Sequence, residues 1–118
     1  MPARVLVIDD SSISRKMLKA KLPSGDYILE EAGGGQEGLD RYRANRADLV
    51  FLDLTMPDMD GFETLQQLKT FDPEVRVVIQ SADVQESSKE KAFALGAEAF
   101  LQKPPKIENL QQFIAPWL

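Results

Sequence analysis

Residues 5–12 read VLVIDDSS, and this stretch decides which fold the chain adopts. Its first four residues are apolar and mostly β-branched, which predicts a short strand buried in a parallel sheet. Two aspartates end the apolar run, and the two serines can cap a helix that follows. That helix is predicted to turn Ile13, Met17 and Leu18 toward the core. The stretch therefore indicates a strand that leads through a short acidic loop into a helix.

The same alternation continues to the end of the chain. Four more apolar runs predict strands at residues 27–29, 49–52, 75–79 and 99–101. Between and after these runs, four more helices are predicted. Apolar residues on the inner face are Leu39 and Tyr42 in the second helix, Phe62, Leu65 and Leu68 in the third, and Ile107, Leu110, Phe113 and Ile114 in the fifth. The fourth helix is predicted at residues 86–95, with Gly96 as its C-cap. Residues 33–38 fit G-x-G-x-x-G but are interpreted as a turn and a helix start, because a lone match is weak evidence. Five strand–helix repeats predict a buried parallel sheet with helices on both faces.

Composition limits the classes of function. The chain has 118 residues, 43% of them hydrophobic, which predicts one domain over residues 1–118 with a sizeable core. Lys and Arg number 14 against 19 Asp and Glu, and a net charge of −5 argues against direct nucleic-acid binding. No apolar run is long enough to cross a bilayer, and Asp9 and Asp10 interrupt the first run too early for a signal peptide. We therefore expect no membrane association and a cytoplasmic location.

The chain contains no Cys and no His. This excludes disulfides, thiolate nucleophiles, imidazole bases and Ser–His–Asp triads. Chemistry is left to carboxylates, hydroxyls, lysines and the backbone. A bound metal would need oxygen ligands, which favours magnesium, calcium or manganese over zinc.

Polar residues follow four of the predicted strands. Asp9 and Asp10 follow the first, Asp53 the third, Ser81 the fourth and Lys103 the fifth. The carboxyl ends of parallel strands share one edge of the sheet, so the three acids converge if strands one and three flank the point where strand order reverses. Unit charges about 4 Å apart repel by about 4 kcal/mol at an effective dielectric of about 20, so a cationic group must offset them. A divalent cation is the natural candidate, and Lys103 is a second. Such a site suits a phosphoryl group, with a carboxylate as the nucleophile.

Five short segments together give the chain a family resemblance. They are residues 7–11 (VIDDS), 53–61 (DLTMPDMDG), 81–82 (SA), 96–97 (GA) and 103–104 (KP). In this order, and in register with the predicted strands, they resemble the receiver domain of two-component response regulators over essentially the whole chain. The resemblance implies a flavodoxin-like α/β fold, (βα)5, with a doubly wound parallel sheet in strand order 2-1-3-4-5.

Carried over by position, the resemblance implies a phosphoacceptor and a metal site. Asp53 resembles the aspartate that takes the phosphoryl group. Asp9 and Asp10 resemble the acidic pair that holds Mg²⁺, or Mn²⁺ in its place, together with Asp53 and the backbone carbonyl of Thr55. Lys103 resembles the lysine that contacts the phosphoryl group.

The resemblance also implies a switch. Ser81 resembles the switch hydroxyl and Phe100 falls at the aromatic switch position, although Phe100 lacks the hydroxyl that many members carry there. Thr55 and Asp83 occupy the two positions that tune how long the phosphoryl group survives. Two further features follow from the family: the peptide bond before Pro104 is expected to be cis, and Gln80 stands where an apolar residue is usual.

For partners, the resemblance implies a sensor histidine kinase or phosphotransfer protein as phosphoryl donor. The domain would catalyse only its own phosphorylation and dephosphorylation. The face formed by helix four, strand five and helix five would then change shape and control an unidentified output protein or domain. A homodimer through that face is a further option.

Several alternatives stay open from the residues alone. Ser81 could be simply the N-cap of helix four, and Lys103 could be a solvated surface lysine. Phe100 could be a core residue. Trp117 could either cover the core or face a partner. Two other functions compete with signalling. A phosphatase of the haloacid dehalogenase type would need an acid where Thr55 stands, and a docking or dimerisation module without phosphotransfer would not need the acids and the lysine together.

Overall fold

The computed structural model describes residues 2–118. Its strands are β1 (Ala3–Ile8), β2 (Tyr27–Ala32), β3 (Leu49–Asp53), β4 (Val77–Ser81) and β5 (Ala99–Gln102). Its helices are α1 (Ser12–Lys21), α2 (Gly35–Ala44), α3 (Gly61–Phe71), α4 (Glu86–Ala94) and α5 (Ile107–Ile114), and a 3₁₀ turn (Ala115–Trp117) follows α5. Strands and helices alternate throughout, as the hydrophobic pattern predicts.

The five strands form one parallel sheet in the order β2-β1-β3-β4-β5. This confirms the doubly wound architecture and the strand order that the family resemblance implies. The chain adds β2 on one side of β1 and all later strands on the other. The reversal of strand order therefore lies between β1 and β3, where open α/β sheets form their ligand crevice.

Two apolar clusters cover the two faces of the sheet, because successive side chains of a strand point to opposite sides. Leu6, Ile8, Leu52 and Ile79 pack with buried residues of α2, α3 and α4. The alternate strand residues, Val5, Val7, Phe51 and Val78, pack with buried residues of α1 and α5. Trp117 packs partly against this second cluster, so it contributes to covering the core.

The edge strands are less buried than the sequence predicts. β1, β3 and β4 are buried almost throughout, but every residue of β2 except Ala32, and every residue of β5, is at least partly exposed. Each edge strand has a neighbour on one side only. The expectation of five strands buried on both faces is therefore wrong for these two.

Helix α1 buries less apolar surface than predicted. Ser11 caps its N-terminus as expected, by accepting a hydrogen bond from the Ser14 amide at 3.1 Å. However, Ile13 is 70% exposed and Met17 is 48% exposed, and only Leu18 is buried. At roughly 100° per residue, Ile13 lies roughly 140° around the helix axis from Leu18, outside its buried face. Ile107 of α5, also predicted to face inward, is likewise exposed.

Strand β4 begins two residues later than the apolar run at 75–79 predicts. Val75 belongs to a turn in which its amide donates to the carbonyl of Asp72 at 3.1 Å. Pairing begins at Val77, which is opposite Val50 of β3. The strand also ends two residues later than the apolar run, so that Gln80 and Ser81, predicted to follow the run, are its last two residues.

At two positions the structure shows why the residue is a glycine. Gly96 has φ of +102°, a conformation that L side chains rarely adopt, and it ends α4 as predicted. At Gly38, a Cβ would lie 2.4 Å from Cδ1 of Ile8, so the glycine allows α2 to approach β1. The segment at 33–38 is thus a turn and a helix start. Within residues 2–118, no helix combines the length and the apolar character that crossing a membrane requires.

Candidate functional site

Three carboxylates meet at the carboxyl edge of the sheet. Ile8 of β1 is paired with Leu52 of β3, so the next residues, Asp9 and Asp53, lie side by side. Asp9, Asp10 and Asp53 each offer one oxygen, and these oxygens all lie within 4.8 Å of one another. Asp9 and Asp53 are buried and Asp10 is exposed. A set of hard oxygen donors open to solvent on one side fits a divalent cation such as Mg²⁺ or Mn²⁺.

Lys103 supplies positive charge to this cluster. Its Nζ lies 2.8 Å from Oδ2 of Asp9 and 3.5 Å from Oδ1 of Asp53. Its amide donates to the carbonyl of Ser81 at 2.9 Å, which fixes the lysine beside β4, and the peptide bond to Pro104 is cis as expected. The predicted lysine is therefore an internal counter-charge in this structure and not a solvated surface residue.

The pKa of the Asp53 carboxyl is raised above its usual value. Burial is the largest cause, and the negative charge of Asp9 acts in the same direction. The Lys103 ammonium and a hydrogen bond from the Thr55 amide oppose the shift. A cation bound in the cluster would also favour the ionised carboxylate, which is the form that can act as a nucleophile.

The loop between β3 and α3 is closely folded beneath Asp53. The Gly61 amide donates to the carbonyl of Leu54 at 2.8 Å. A Cβ on Gly61 would lie 2.4 Å from Cα of Leu54 and 2.5 Å from the carbonyl oxygen of Asp53, so no larger residue fits without moving the backbone. Thr55 is exposed beside the acids, where its amide contacts Asp53.

A hydrogen bond joins Ser81, the last residue of β4, to Asp83 in the loop that follows. Ser81 is buried, and its Oγ accepts from the Asp83 amide at 3.0 Å. The Asp83 carboxylate accepts from the Ser88 hydroxyl at 2.7 Å and from the Gln85 amide at 3.0 Å. The Ser88 hydrogen bond is the main reason why the pKa of Asp83 is lowered. The Ser81 oxygen is thus held by the loop, while its hydroxyl proton remains available for donation.

Phe100 and Gln80 lie on opposite faces of the sheet. Phe100 is half-buried and packs against the cluster beneath α2, α3 and α4. Gln80 is 1% exposed, and its Nε2 has no hydrogen-bond partner among residues 2–118. Gln80 also lines a groove of about 350 Å³ between α1 and the β5–α5 loop, with Met17 and Pro104 among the lining residues.

Arg15 is a site residue that the sequence analysis did not single out. Its Nη1 donates to the carbonyl of Asp9 at 2.5 Å, and its Nε donates to Oε1 of Glu31 at 2.9 Å. The only signal in the sequence is an arginine in the second turn of the helix that follows the acidic pair. That signal is weak, because helix surfaces commonly carry arginine.

Comparison with known proteins gives a consistent result. The model of the family described as "Response regulator receiver domain" matches residues 5–115. The chemotaxis protein CheY of Bacillus subtilis is 34% identical over 115 residues, which cover 97% of this chain and 96% of that protein. CheY of Treponema pallidum is 41% identical over 117 residues, covering 97% of this chain and 81% of that protein.

A solved structure agrees with the sequence matches. A chain in the crystal structure of the CheX–CheY–BeF3–Mg²⁺ complex from Borrelia burgdorferi has a TM-score of 0.89 and 32% identity. The match covers 98% of this chain and 90% of that chain.

Proposed function

The chain belongs to the response regulator receiver domain family, and from this membership we propose that it accepts a phosphoryl group on Asp53. The observation that carries the proposal is the cluster of Asp9, Asp10 and Asp53, with Nζ of Lys103 at 2.8 Å from Asp9 and 3.5 Å from Asp53. The receiver is a signalling domain. The finer statement, that it promotes its own phosphorylation and dephosphorylation, is part of this proposal.

In the proposed reaction, a carboxylate oxygen of Asp53 attacks phosphorus in line with the bond to the donor. The new O–P bond forms as the N–P bond of a phosphohistidine, or the O–P bond of a small acyl phosphate, breaks. Lys103 is close enough to exchange its contact with Asp53 for one with a phosphoryl oxygen. The donor nitrogen or oxygen takes the bonding electron pair.

We propose that Asp9, Asp10, Asp53 and the carbonyl of Thr55 hold Mg²⁺, with Mn²⁺ as a substitute. Bound there, the ion would neutralise charge on the transferring phosphoryl oxygens. The three carboxylate oxygens and the exposed position of Asp10 support this assignment.

The proposed signal is a change of shape that starts at Ser81. To donate its hydroxyl proton to the phosphoryl group and move toward it, Ser81 gives up the bond from the Asp83 amide. Phe100 then moves into the space that Ser81 leaves, and the face formed by α4, β5 and α5 changes. Thr55 and Asp83 flank these events and are proposed to set the phosphoryl lifetime.

The proposed donor is a sensor histidine kinase or a phosphotransfer protein. The groove beside Lys103 lies next to the acidic cluster, and there α1 exposes Ile13 and Met17. These exposed side chains, which the core does not need, suit a contact with the donor. An output protein would read the α4–β5–α5 face, and a homodimer through that face is a second use of the same surface. We assign the whole of residues 1–118 to the receiver domain and propose that it acts in the cytoplasm.

The competing functions receive less support. The intact set of acids, lysine and switch serine is more than a docking module needs. A haloacid dehalogenase-type phosphatase would carry an acid in place of Thr55, and the family model that matches is that of the receiver domain.

The proposal is tested by incubating the protein with acetyl phosphate and Mg²⁺ and weighing it by mass spectrometry. We expect the wild type to gain one phosphoryl group. Asp53→Asn should gain none, because the amide is a poor nucleophile. Asp40→Asn, at an exposed position on α2, is the matched control and should react like the wild type. An unmodified wild type, or an adduct that persists in Asp53→Asn, would reject the assignment.

A further inference from the structure

We propose that Arg15 is a positioning residue for the cation site, acting through the peptide bond between Asp9 and Asp10. The inference rests on the proposed function, because it assumes that the acidic cluster binds a divalent cation. It assigns a role to a side chain that lies behind the cluster and offers no ligand atom.

The polar groups of Asp9 are all paired. Its carboxylate accepts from the Ser11 amide at 2.9 Å and from Lys103 at 2.8 Å, and its amide donates to the carbonyl of Ala32 at 3.1 Å. Its carbonyl lies beyond the last β1–β3 pair and accepts from Nη1 of Arg15. Asp9 is fully buried, so without Arg15 this carbonyl would lose its partner in the interior.

Asp10 has the opposite environment. Its side chain is exposed and makes no hydrogen bond or ion pair with any other residue of the described part of the chain. Only its backbone therefore keeps its carboxylate near those of Asp9 and Asp53. The amide of Asp10 and the carbonyl of Asp9 belong to one planar peptide unit. By binding that carbonyl, Arg15 fixes the orientation of the Asp9–Asp10 peptide and so the direction of the backbone at Asp10.

The carboxylate of Glu31 holds Arg15 in place. Its Nε donates to Oε1 of Glu31 on β2 at 2.9 Å, while Lys19 contacts Oε2 of the same carboxylate at 3.0 Å. The Arg15 side chain is 18% exposed, so the pair is partly shielded from water. The rigid guanidinium thus connects α1, β2 and the end of β1, and a single-point ammonium could not make both contacts in the same geometry.

Positioning and simple charge effects predict opposite results, which makes the inference testable. If Arg15 acts only as a nearby positive charge, its removal lowers repulsion and strengthens cation binding, while Arg15→Lys changes nothing. If Arg15 positions the Asp9–Asp10 peptide, both Arg15→Gln and Arg15→Lys weaken binding. Loss of an outer partner of a metal ligand typically costs about tenfold or more in affinity, and we expect about tenfold here.

The experiment titrates the metal-free protein with Mn²⁺, follows free Mn²⁺ by electron paramagnetic resonance, and repeats the titration with competing Mg²⁺. The temperature is kept well below the unfolding midpoint of each variant, and circular dichroism verifies that the variant is folded. If Arg15 served only the stability of the fold, these folded variants would bind Mn²⁺ with the dissociation constant of the wild type. Lys19→Gln is the matched control: it removes a cation from Glu31 but makes no contact with Asp9, and it should bind like the wild type. If Arg15→Gln fails to fold, Glu31→Ala removes the partner that orients Arg15 and should also weaken binding.

Each outcome has a distinct meaning. A wild type that binds neither ion contradicts the proposed cation site itself. A wild type that binds, with Arg15 variants that bind equally well or more tightly, overturns the positioning role while leaving the proposed function intact. Weakening of the same size in Lys19→Gln would also overturn it, because the effect would then come from charge near Glu31.

Discussion

At the scale of single residues, Lys103 determines the charge balance of the site. It is the side chain whose ammonium lies within 4 Å of both buried acids, at 2.8 Å from Asp9 and 3.5 Å from Asp53. Removal of one partner of a buried ion pair leaves an uncompensated charge, which is more costly than the pair was worth. The lysine is therefore expected to stabilise the fold as well as to serve the proposed chemistry.

We expect Lys103→Met to lower the free energy of unfolding by about 3 kcal/mol when no divalent ion is present. Mg²⁺ should restore part of this loss, because it replaces the missing positive charge between the carboxylates. The measurement is urea denaturation in EDTA and again in excess Mg²⁺. Lys106→Met, three residues away and exposed, is the control and should have little effect. Equal stability of Lys103→Met and the wild type in EDTA would show that the acids do not need the lysine.

The sequence predicted which residues form the acidic cluster, but not that Arg15 contacts its backbone. Asp9, Asp10, Asp53 and Lys103 each follow an apolar run, and the edge shared by parallel strands brings such residues together. Arg15 gave no comparable signal, because its role depends on where α1 lies relative to β1 and β2.

At the scale of elements, a hydrogen bond ties α2 to the end of α3. The Tyr42 hydroxyl donates to Oδ2 of Asp72 at 2.7 Å, and Nε of Arg46 donates to the same oxygen at 2.7 Å. These bonds, the one from Tyr42 above all, lower the pKa of Asp72, and burial raises the pKa of Tyr42 to about 12. These hydrogen bonds connect α2 and the residues directly after it to the C-terminal end of α3.

Tyr42→Phe is expected to destabilise the protein at neutral pH and to do so less in acid. A carboxyl with a lowered pKa in the folded state stabilises the fold above its ordinary pKa, here 3.8, and loses this contribution as the pH falls through the folded-state value. The difference in unfolding midpoint between the wild type and Tyr42→Phe should therefore shrink below about pH 4.

The control is Tyr27→Phe, because the Tyr27 hydroxyl donates to the carbonyl of Pro23, which does not titrate. Its effect should be constant over the same acidic range. Thermal unfolding followed by circular dichroism measures both variants. A Tyr42→Phe difference that stays constant down to strongly acidic pH would contradict the assigned role of Asp72.

Element boundaries were predicted less well than element types. Strand β4 starts at Val77 because that residue pairs with Val50, whereas the apolar run begins at Val75. Pairing between strands is a tertiary property that an apolar run does not reveal. In α1 the spacing of Ile13 and Met17 predicted burial, but only the stripe around Leu18 meets the sheet.

At the scale of the whole molecule, the acidic cluster and Trp117 lie at opposite edges of the sheet. The carbonyl of Trp117 accepts from the Asp26 amide at 2.6 Å, just before β2 begins, and the cluster lies where β1 and β3 end. Trp117 is the sole tryptophan of the chain. Its fluorescence should therefore report unfolding of the molecule without responding directly to a cation at the cluster.

Mg²⁺ is expected to raise the free energy of unfolding with the logarithm of its concentration, by about 2.7 kcal/mol at a concentration one hundred times its dissociation constant. The reason is that the three carboxylates come together only in the folded sheet. Urea unfolding followed by Trp117 fluorescence, with and without Mg²⁺, measures the shift. Asp10→Asn is the control and should show a much smaller one. If the urea midpoint of the wild type did not change with Mg²⁺, this would argue against a cation site in the folded state.

The architecture of the whole molecule was the most predictable level. Alternating apolar strands and helices fixed the fold class, and the resemblance supplied the strand order that the structure confirms. The degree of burial of β2 and β5 could not be read from the runs alone, because an edge strand and a central strand can share the same apolar residues.

The contact between Lys103 and Asp9 joins residues 94 positions apart in the chain. Because β5 is the last strand in the chain and precedes Lys103 directly, we expect this contact to form only when β5 has docked beside β4. A nascent or partly folded copy that lacks a docked β5 still carries the three acids but has no lysine among them. Under the proposed function, such a copy would lack the lysine that contacts the phosphoryl group until β5 has joined the sheet.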